Sequence, residues 1–180
     1  MQKTTASLET PLRAQLDRLS ALEPTGAPVI SLYLDMRADE HGRDRYEQFL
    51  RKAFPERART LAGDARRGFE QDVERIESFL ASDLQQSANG LAIFACDAVG
   101  LFEAIQMSAP IEDHWLFVAP VPHLYPLARV NDRYPRYAAL LADTNSARIF
   151  VFSLGQTETQ QEVKNVKTRK TSMGGWSQAR

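Results

Sequence analysis

The sequence contains one cysteine, Cys96. No internal disulfide can form, and a cysteine-based metal site is excluded. Cys96 lies in the apolar run Leu91-Ala92-Ile93-Phe94-Ala95-Cys96, which reads as a buried and inert thiol. Apolar runs are short, and none approaches the roughly 18 residues of a membrane-spanning helix. Met1 leads into a polar start without the apolar stretch of a secretion signal. The expectation is a cytoplasmic protein with no membrane partner. Histidine is scarce as well: His41, His114 and His123 show no metal-ligand spacing and read as surface or core-edge residues. No glycine-rich phosphate loop, nucleophile elbow or zinc-protease signature occurs, and neither a metal nor a cofactor is expected. Net charge is nearly absent, with 22 basic against 23 acidic side chains and three neutral histidines giving −1. Such a balance gives no overall pull toward nucleic acid, so only local charge can inform.

What is present is a globular composition. The chain has 180 residues, 43% apolar and 25% charged, enough for one packed core and part of another and too apolar for global disorder. Charge is unevenly placed. Lys164, Lys167, Arg169, Lys170 and Arg180 are followed or separated by no acid, which leaves a net −6 on residues 1–163.

Periodicity predicts the elements. Thr10-Pro11 reads as a cap and first helical residue, followed by Leu12, Leu16, Leu19 and Leu22 on one stripe. Pro24, Gly26 and Pro28 close it, and Val29 to Asp35 reads as a largely buried strand. Between Asp44 and Ala81, Tyr46, Phe49, Leu50 and Phe54 mark one helix and Phe69, Val73, Ile76, Phe79 and Leu80 another, in a helical hairpin. The hairpin's charges, such as Arg66-Arg67 and Glu70 to Glu77, read as a solvated face. Gly90 to Cys96 and Leu101 to Met107 flank a turn at Asp97 to Gly100, a β-hairpin, and Trp115 to Ala119 is a further strand. Leu124 to Val130 suits a short helix. Beyond a junction at Tyr134-Pro135-Arg136, Tyr137 to Asp143 and Ala147 to Leu154 form a second hairpin, with a third strand within Thr159 to Val166. Asp35, Asp97 and Asp143 fall at strand ends, where turn initiation or N-capping is the expected role. The second unit includes no helix to cover its sheet, so the chain is expected to be a fragment of a longer protein or to need a partner.

The final residues read Gly174-Gly175-Trp176-Ser177-Gln178-Ala179-Arg180. Paired glycines allow close backbone approach to another molecule. Gln178 offers an uncharged donor and acceptor, and the cations before it suit phosphate. With the hairpin Tyr137-Ala138-Ala139-Leu140-Leu141-Ala142-Asp143 and Ala147-Arg148-Ile149-Phe150, this ending resembles the start of the middle domain of archaeo-eukaryotic class-one peptide chain release factors. It is more similar still to their bacterial relatives and to the Vms/ANKZF-type ribosome-rescue factors. Asn89-Gly90-Leu91-Ala92-Ile93-Phe94 and the Trp115 to Leu127 region resemble the family's N-terminal domain. The termination members carry Gly-Gly-Gln. Here Trp176 follows Gly175 and the glutamine comes at Gln178, matching the Gly-x-x-Gln pattern of the rescue relatives.

The resemblance implies an α/β fold: an N-terminal α/β domain over residues 1–134, with a mixed sheet and the helical hairpin. Residues 135–180 would then be the first strands of a ribonuclease-H-like middle domain. It implies hydrolysis of peptidyl-tRNA on the ribosome, with Gly174, Gly175 and Gln178 at the reacting ester. Lys164, Lys167, Arg169, Lys170, Trp176 and Arg180 would contact ribosomal RNA or peptidyl-tRNA, and no DNA is involved. The family's codon-reading segments, Thr-Ala-Ser-Asn-Ile-Lys and Tyr-x-Cys-x-x-x-Phe, do not occur. Rescue without stop-codon reading is therefore expected, a non-catalytic ribosome- or tRNA-binding module is the alternative, and the isolated fragment is expected to be inactive.

Overall fold

The computed structural model describes residues 11–38, 45–143, 146–153 and 156–164. Helix α1 (Pro11–Ser20) leads to strand β1 (Val29–Asp35), helices α2 (Tyr46–Ala58) and α3 (Gly63–Ser82), and strand β2 (Gly90–Cys96). A single 3-10 turn, Asp97–Val99, separates β2 from β3 (Leu101–Met107). Strand β4 (Trp115–Ala119) and helix α4 (Tyr125–Arg133) follow, then β5 (Tyr137–Ala142), β6 (Ser146–Ser153) and β7 (Gln156–Lys164).

Four strands form one sheet in the order β3-β2-β1-β4, and three form another in the order β5-β6-β7. The α/β class expected from the sequence is present, but every strand pair is antiparallel, not mixed. The cause lies in the crossover from β1 to β2. One helix would return the chain for a parallel strand. Two antiparallel helices, α2 and α3, instead bring it back to the end that β1 has just left, and β2 runs the other way. Helix α2 also continues through Pro55 to Ala58.

Alternation along β1 divides the core. Ile30, Leu32 and Leu34 face Leu50, Phe54, Phe69 and Ile76 of the helical hairpin, with Leu91, Ile93 and Ala95 of β2 beside them. Tyr33, Ala92, Phe94, Ile105 and Met107 face Leu12 and Leu19 of α1 and Leu127 and Val130 of α4. The first sheet is thus the middle layer of three, which is why its central strands are apolar on both faces. Cys96 is buried at the end of β2, as expected from its run.

Two polar side chains on the α1–α4 face fasten the segment before α4. The Tyr33 hydroxyl donates to the His123 carbonyl at 2.6 Å, and the His123 N–H donates to Ser31 Oγ at 2.9 Å. Burial pushes the Tyr33 hydroxyl well above the usual tyrosine range. Phe94, Trp115 and Phe117 pack edge-on against the Tyr33 ring.

The second sheet has a different surface. Tyr137 stacks on Phe152 at 4.9 Å, and Phe150 lies beside Phe152 on the same face. Leu140 pairs with Ile149 on the opposite face. Tyr137, Leu140 and Leu141 are 59%, 64% and 62% exposed, so apolar side chains lie open on both faces. Among the described residues no helix covers this sheet, as the sequence led one to expect.

Candidate functional site

Of the residues that the sequence marks as functional, the described structure includes Lys164 alone, as the last residue of β7. Gly174, Gly175, Trp176, Gln178, Lys167, Arg169, Lys170 and Arg180 lie outside the described residues. What the structure supplies is the scaffold that leads to them.

That scaffold is a three-stranded meander with fixed register. Lys164 is opposite Ser146 and Val163 opposite Ala147, so β7 finishes beside the turn that joins β5 to β6. Asp143 closes this turn. Its Oδ1 accepts the Ser146 N–H at 2.7 Å, its Oδ2 bonds the Ser146 hydroxyl at 3.0 Å, and its own N–H donates to the Ser146 carbonyl at 2.8 Å. A short polar side chain that bonds the backbone of a tight turn is the role expected of Asp143. The strand register is further held by Arg148 and Glu162, directly opposite each other and 3.3 Å apart. The basic run therefore begins at the end of the meander that carries the Asp143 turn.

The first sheet has its own cluster of titratable groups. His114 Nδ1 accepts the Asp35 backbone N–H at 3.1 Å, and its ring stacks on Phe49 at 5.3 Å. Burial holds His114 below the usual histidine range, against the pull of Asp35. Burial raises the Asp35 carboxyl, but two side-chain bonds from Arg37 at 2.8 Å and one from its backbone outweigh that and hold it below the ordinary carboxylate value. Asp35 thus caps the chain leaving β1. His123 packs its ring on Phe117 at 3.9 Å. These are the structural roles that the sequence assigns to Asp35, His114 and His123, while His41 lies outside the described residues. Among the described residues no three histidine, cysteine or acidic side chains are placed to hold a metal.

Asp72 is the group that sequence reasoning missed. It is 1% exposed, in the middle of α3. Its Oδ2 accepts the Asp97 N–H at 2.9 Å, and its Oδ1 faces Arg75 at 3.3 Å. Arg75 also reaches the Leu101 carbonyl at 3.4 Å and lies over the Phe102 ring. Burial raises the Asp72 carboxyl to about 6, although the Asp97 N–H and Arg75 oppose the shift. The signal was its spacing: Asp72 is three residues after Phe69 and four before Ile76, on the apolar stripe itself.

The sign of its effect on stability follows. The folded-state value of about 6 lies above the ordinary 3.8, so the folded chain holds this proton more tightly than the unfolded chain. The contribution is full below about pH 4 and is lost as pH rises through about 6. Asp72→Asn keeps an oxygen for the Asp97 N–H and removes the charge. Urea unfolding across this range should show the unmodified chain losing about 3 kcal/mol relative to the variant as pH rises. Parallel profiles for the two proteins would contradict the assignment.

Residues 122–180 match the model of bacterial archaeo-eukaryotic release factor family 10. The release-factor family that the sequence resembles is thus the family found over this segment, which runs from the strap fastened by Ser31 and Tyr33 through α4 and the second sheet to Arg180. No curated protein matches the chain. Among solved structures, one titled an archaeal protein superposes with a TM-score of 0.50 at 17% identity. The match covers 85% of this chain and 44% of that one, so the chain spans less than half the length of this relative, and the likeness is one of fold. No described helix is long and apolar enough to cross a membrane.

Proposed function

We propose that this chain is part of a release-factor-like protein that promotes hydrolysis of peptidyl-tRNA on stalled ribosomes without reading a stop codon. The observation that carries this reading is the family match over residues 122–180, the segment that holds both the basic run and Gly175-Trp176-Ser177-Gln178. In it, residues 1–134 form an N-terminal domain and residues 135–180 open a ribonuclease-H-like middle domain. Gly174 and Gly175 let the backbone approach the peptidyl-tRNA ester closely. Gln178, by its side-chain amide or backbone N–H, orients a water and stabilises charge developing on the ester carbonyl. Lys164, Lys167, Arg169, Lys170 and Arg180 neutralise RNA phosphates, and Trp176 stacks on a base. No metal or cofactor takes part.

The test is peptide release by the full-length protein from stalled ribosomal complexes carrying labelled nascent chains. Release is expected at similar rates whether the vacant site presents a stop codon, a sense codon or no codon. Release confined to stop codons would overturn the rescue reading. A second reading is favoured by one observation, the tryptophan between Gly175 and the glutamine. It holds that the segment occupies the same site without catalysis, and tight ribosome binding with no release would establish it.

A further inference from the structure

The α2–α3 hairpin separates its charges. Residues 45–67 carry seven cations against three carboxylates, whereas residues 68–84 carry five carboxylates against Arg75 alone. The chain as a whole is nearly neutral, so the positive charge of this stretch is local. Placement on the helix concentrates it further. Leu50 and Phe54 turn toward the sheet, while Arg45, Gln48, Lys52, Pro55 and Arg59 follow at spacings of three or four on the exposed side. Lys52 and Arg59 are two turns apart, about 10 Å along the axis.

The pairing of these cations leaves them available. Lys52, Arg57 and Arg59 make no ion pair among the described residues. At the start of α3, Arg66 pairs with Glu70 and Arg67 with Asp64, both on the surface, where such pairs contribute little and exchange readily. An ordinary solvated face balances its signs; the exposed residues here include Arg45, Arg51, Lys52 and Arg59 against Glu47 and Glu56, which leaves an excess of positive charge. The stripe carries no aromatic side chain for stacking on a base. Its chemistry suits a sugar-phosphate backbone and not the edges of bases.

We propose that the outer face of α2, continued by Arg66 and Arg67 at the hairpin tip, contacts the phosphate backbone of ribosomal RNA without reading sequence. Glu70, Glu74 and Glu77 of α3 line a groove beside Arg51 and Pro55 of α2; the same phosphates repel them, so the hairpin is presented by the edge of α2 away from that groove. This inference rests on the ribosome being the partner, as set out above.

The experiment measures binding of the full-length protein to purified ribosomes over a range of salt, with circular dichroism to check folding. The double variant Lys52→Glu/Arg59→Glu changes exposed side chains only. It is expected to bind at least tenfold more weakly, with the slope of log affinity against log salt reduced by about two. The control Glu74→Lys/Glu77→Lys, on the exposed acidic half of α3, is expected to bind as well as the unmodified protein or better. Unchanged affinity and slope in Lys52→Glu/Arg59→Glu would overturn the assignment of this face. An equal loss in Glu74→Lys/Glu77→Lys would overturn the orientation. Failure of the unmodified protein to bind ribosomes would overturn the ribosomal reading itself, and this inference with it.

Discussion

Gly90→Val is expected to abolish the cooperative unfolding transition of the first sheet or to destabilise it by about 4 kcal/mol, at the upper end of single-residue effects. Gly90 opens β2 between Asp35 of β1 and Met107 of β3. The chain leaving β3 folds back over it. A Cβ at position 90 would stand 2.5 Å from the Ala109 carbonyl oxygen, 3.1 Å from Ile111 Cγ1 and 3.2 Å from the Ile111 nitrogen. Two of these three atoms are backbone and cannot turn aside as a flexible side chain would. Ala109 and Ile111 are themselves buried, so moving their segment opens the α1–α4 core. The neighbouring bonds resist the same shift: the Asn89 N–H donates to the Met107 carbonyl at 2.8 Å, and the Asn89 side chain donates to the Ser108 carbonyl at 2.9 Å. A domain with total stability of about 5–15 kcal/mol has little to spare for such a change. Chemical denaturation followed by tryptophan fluorescence checks it, and a variant within about 1 kcal/mol of the unmodified chain would show that this packing is wrong.

Why the sequence did not reveal Gly90 is instructive. Its need for no side chain comes from Ala109 and Ile111, about twenty residues away, and no local pattern records that approach. Local signals did mark β1, whose apolar run Val29 to Leu34 is buried on both faces, and the Asp97 to Gly100 turn, where Gly100 takes a φ of 66°. They also marked α3, where Phe69 and Ile76 define one face. The start of β7 was less legible. The strand begins at Gln156, three residues before the expected Thr159, because polar residues pair with Ser153 and Phe152 across a bulge after Val151. On a strand with so little apolar alternation the pairing partner, and not the pattern, sets the boundary. Asp72 was hidden in another way: among the many charges of α3 a single buried carboxylate looks like its exposed neighbours until the Asp97 N–H is seen to meet it. The antiparallel sense of the first sheet needed the helical hairpin to be placed before strand direction could be read.

The functional segment was legible as a motif and not as geometry. Gly174, Gly175 and Gln178 drew notice through residue type and through resemblance to a family whose model then matched residues 122–180. Lys164 enters the described fold as the strand end opposite Ser146, the point from which the basic run departs.

On the proposed reading, the largest kinetic effect falls on Gln178. Removing one donor aimed at a developing oxyanion lowers a rate by roughly 10²–10³. Two substitutions separate the two ways in which Gln178 can act. Gln178→Ala removes the side-chain amide and keeps the backbone N–H. Gln178→Pro removes the backbone N–H as well. Circular dichroism of both variants checks that the fold is kept. Binding to the ribosome, carried by the cations from Lys164 onward and by the proposed α2 face, should change little in either variant.

The most direct measurement is therefore the single-turnover rate of peptide release from stalled ribosomes saturated with full-length protein, compared among the unmodified protein, Gln178→Ala and Gln178→Pro. The account predicts a loss of about a hundredfold or more in Gln178→Pro, shared by Gln178→Ala if the side chain is the donor, with ribosome affinity retained. Release by both variants at the unmodified rate would contradict it.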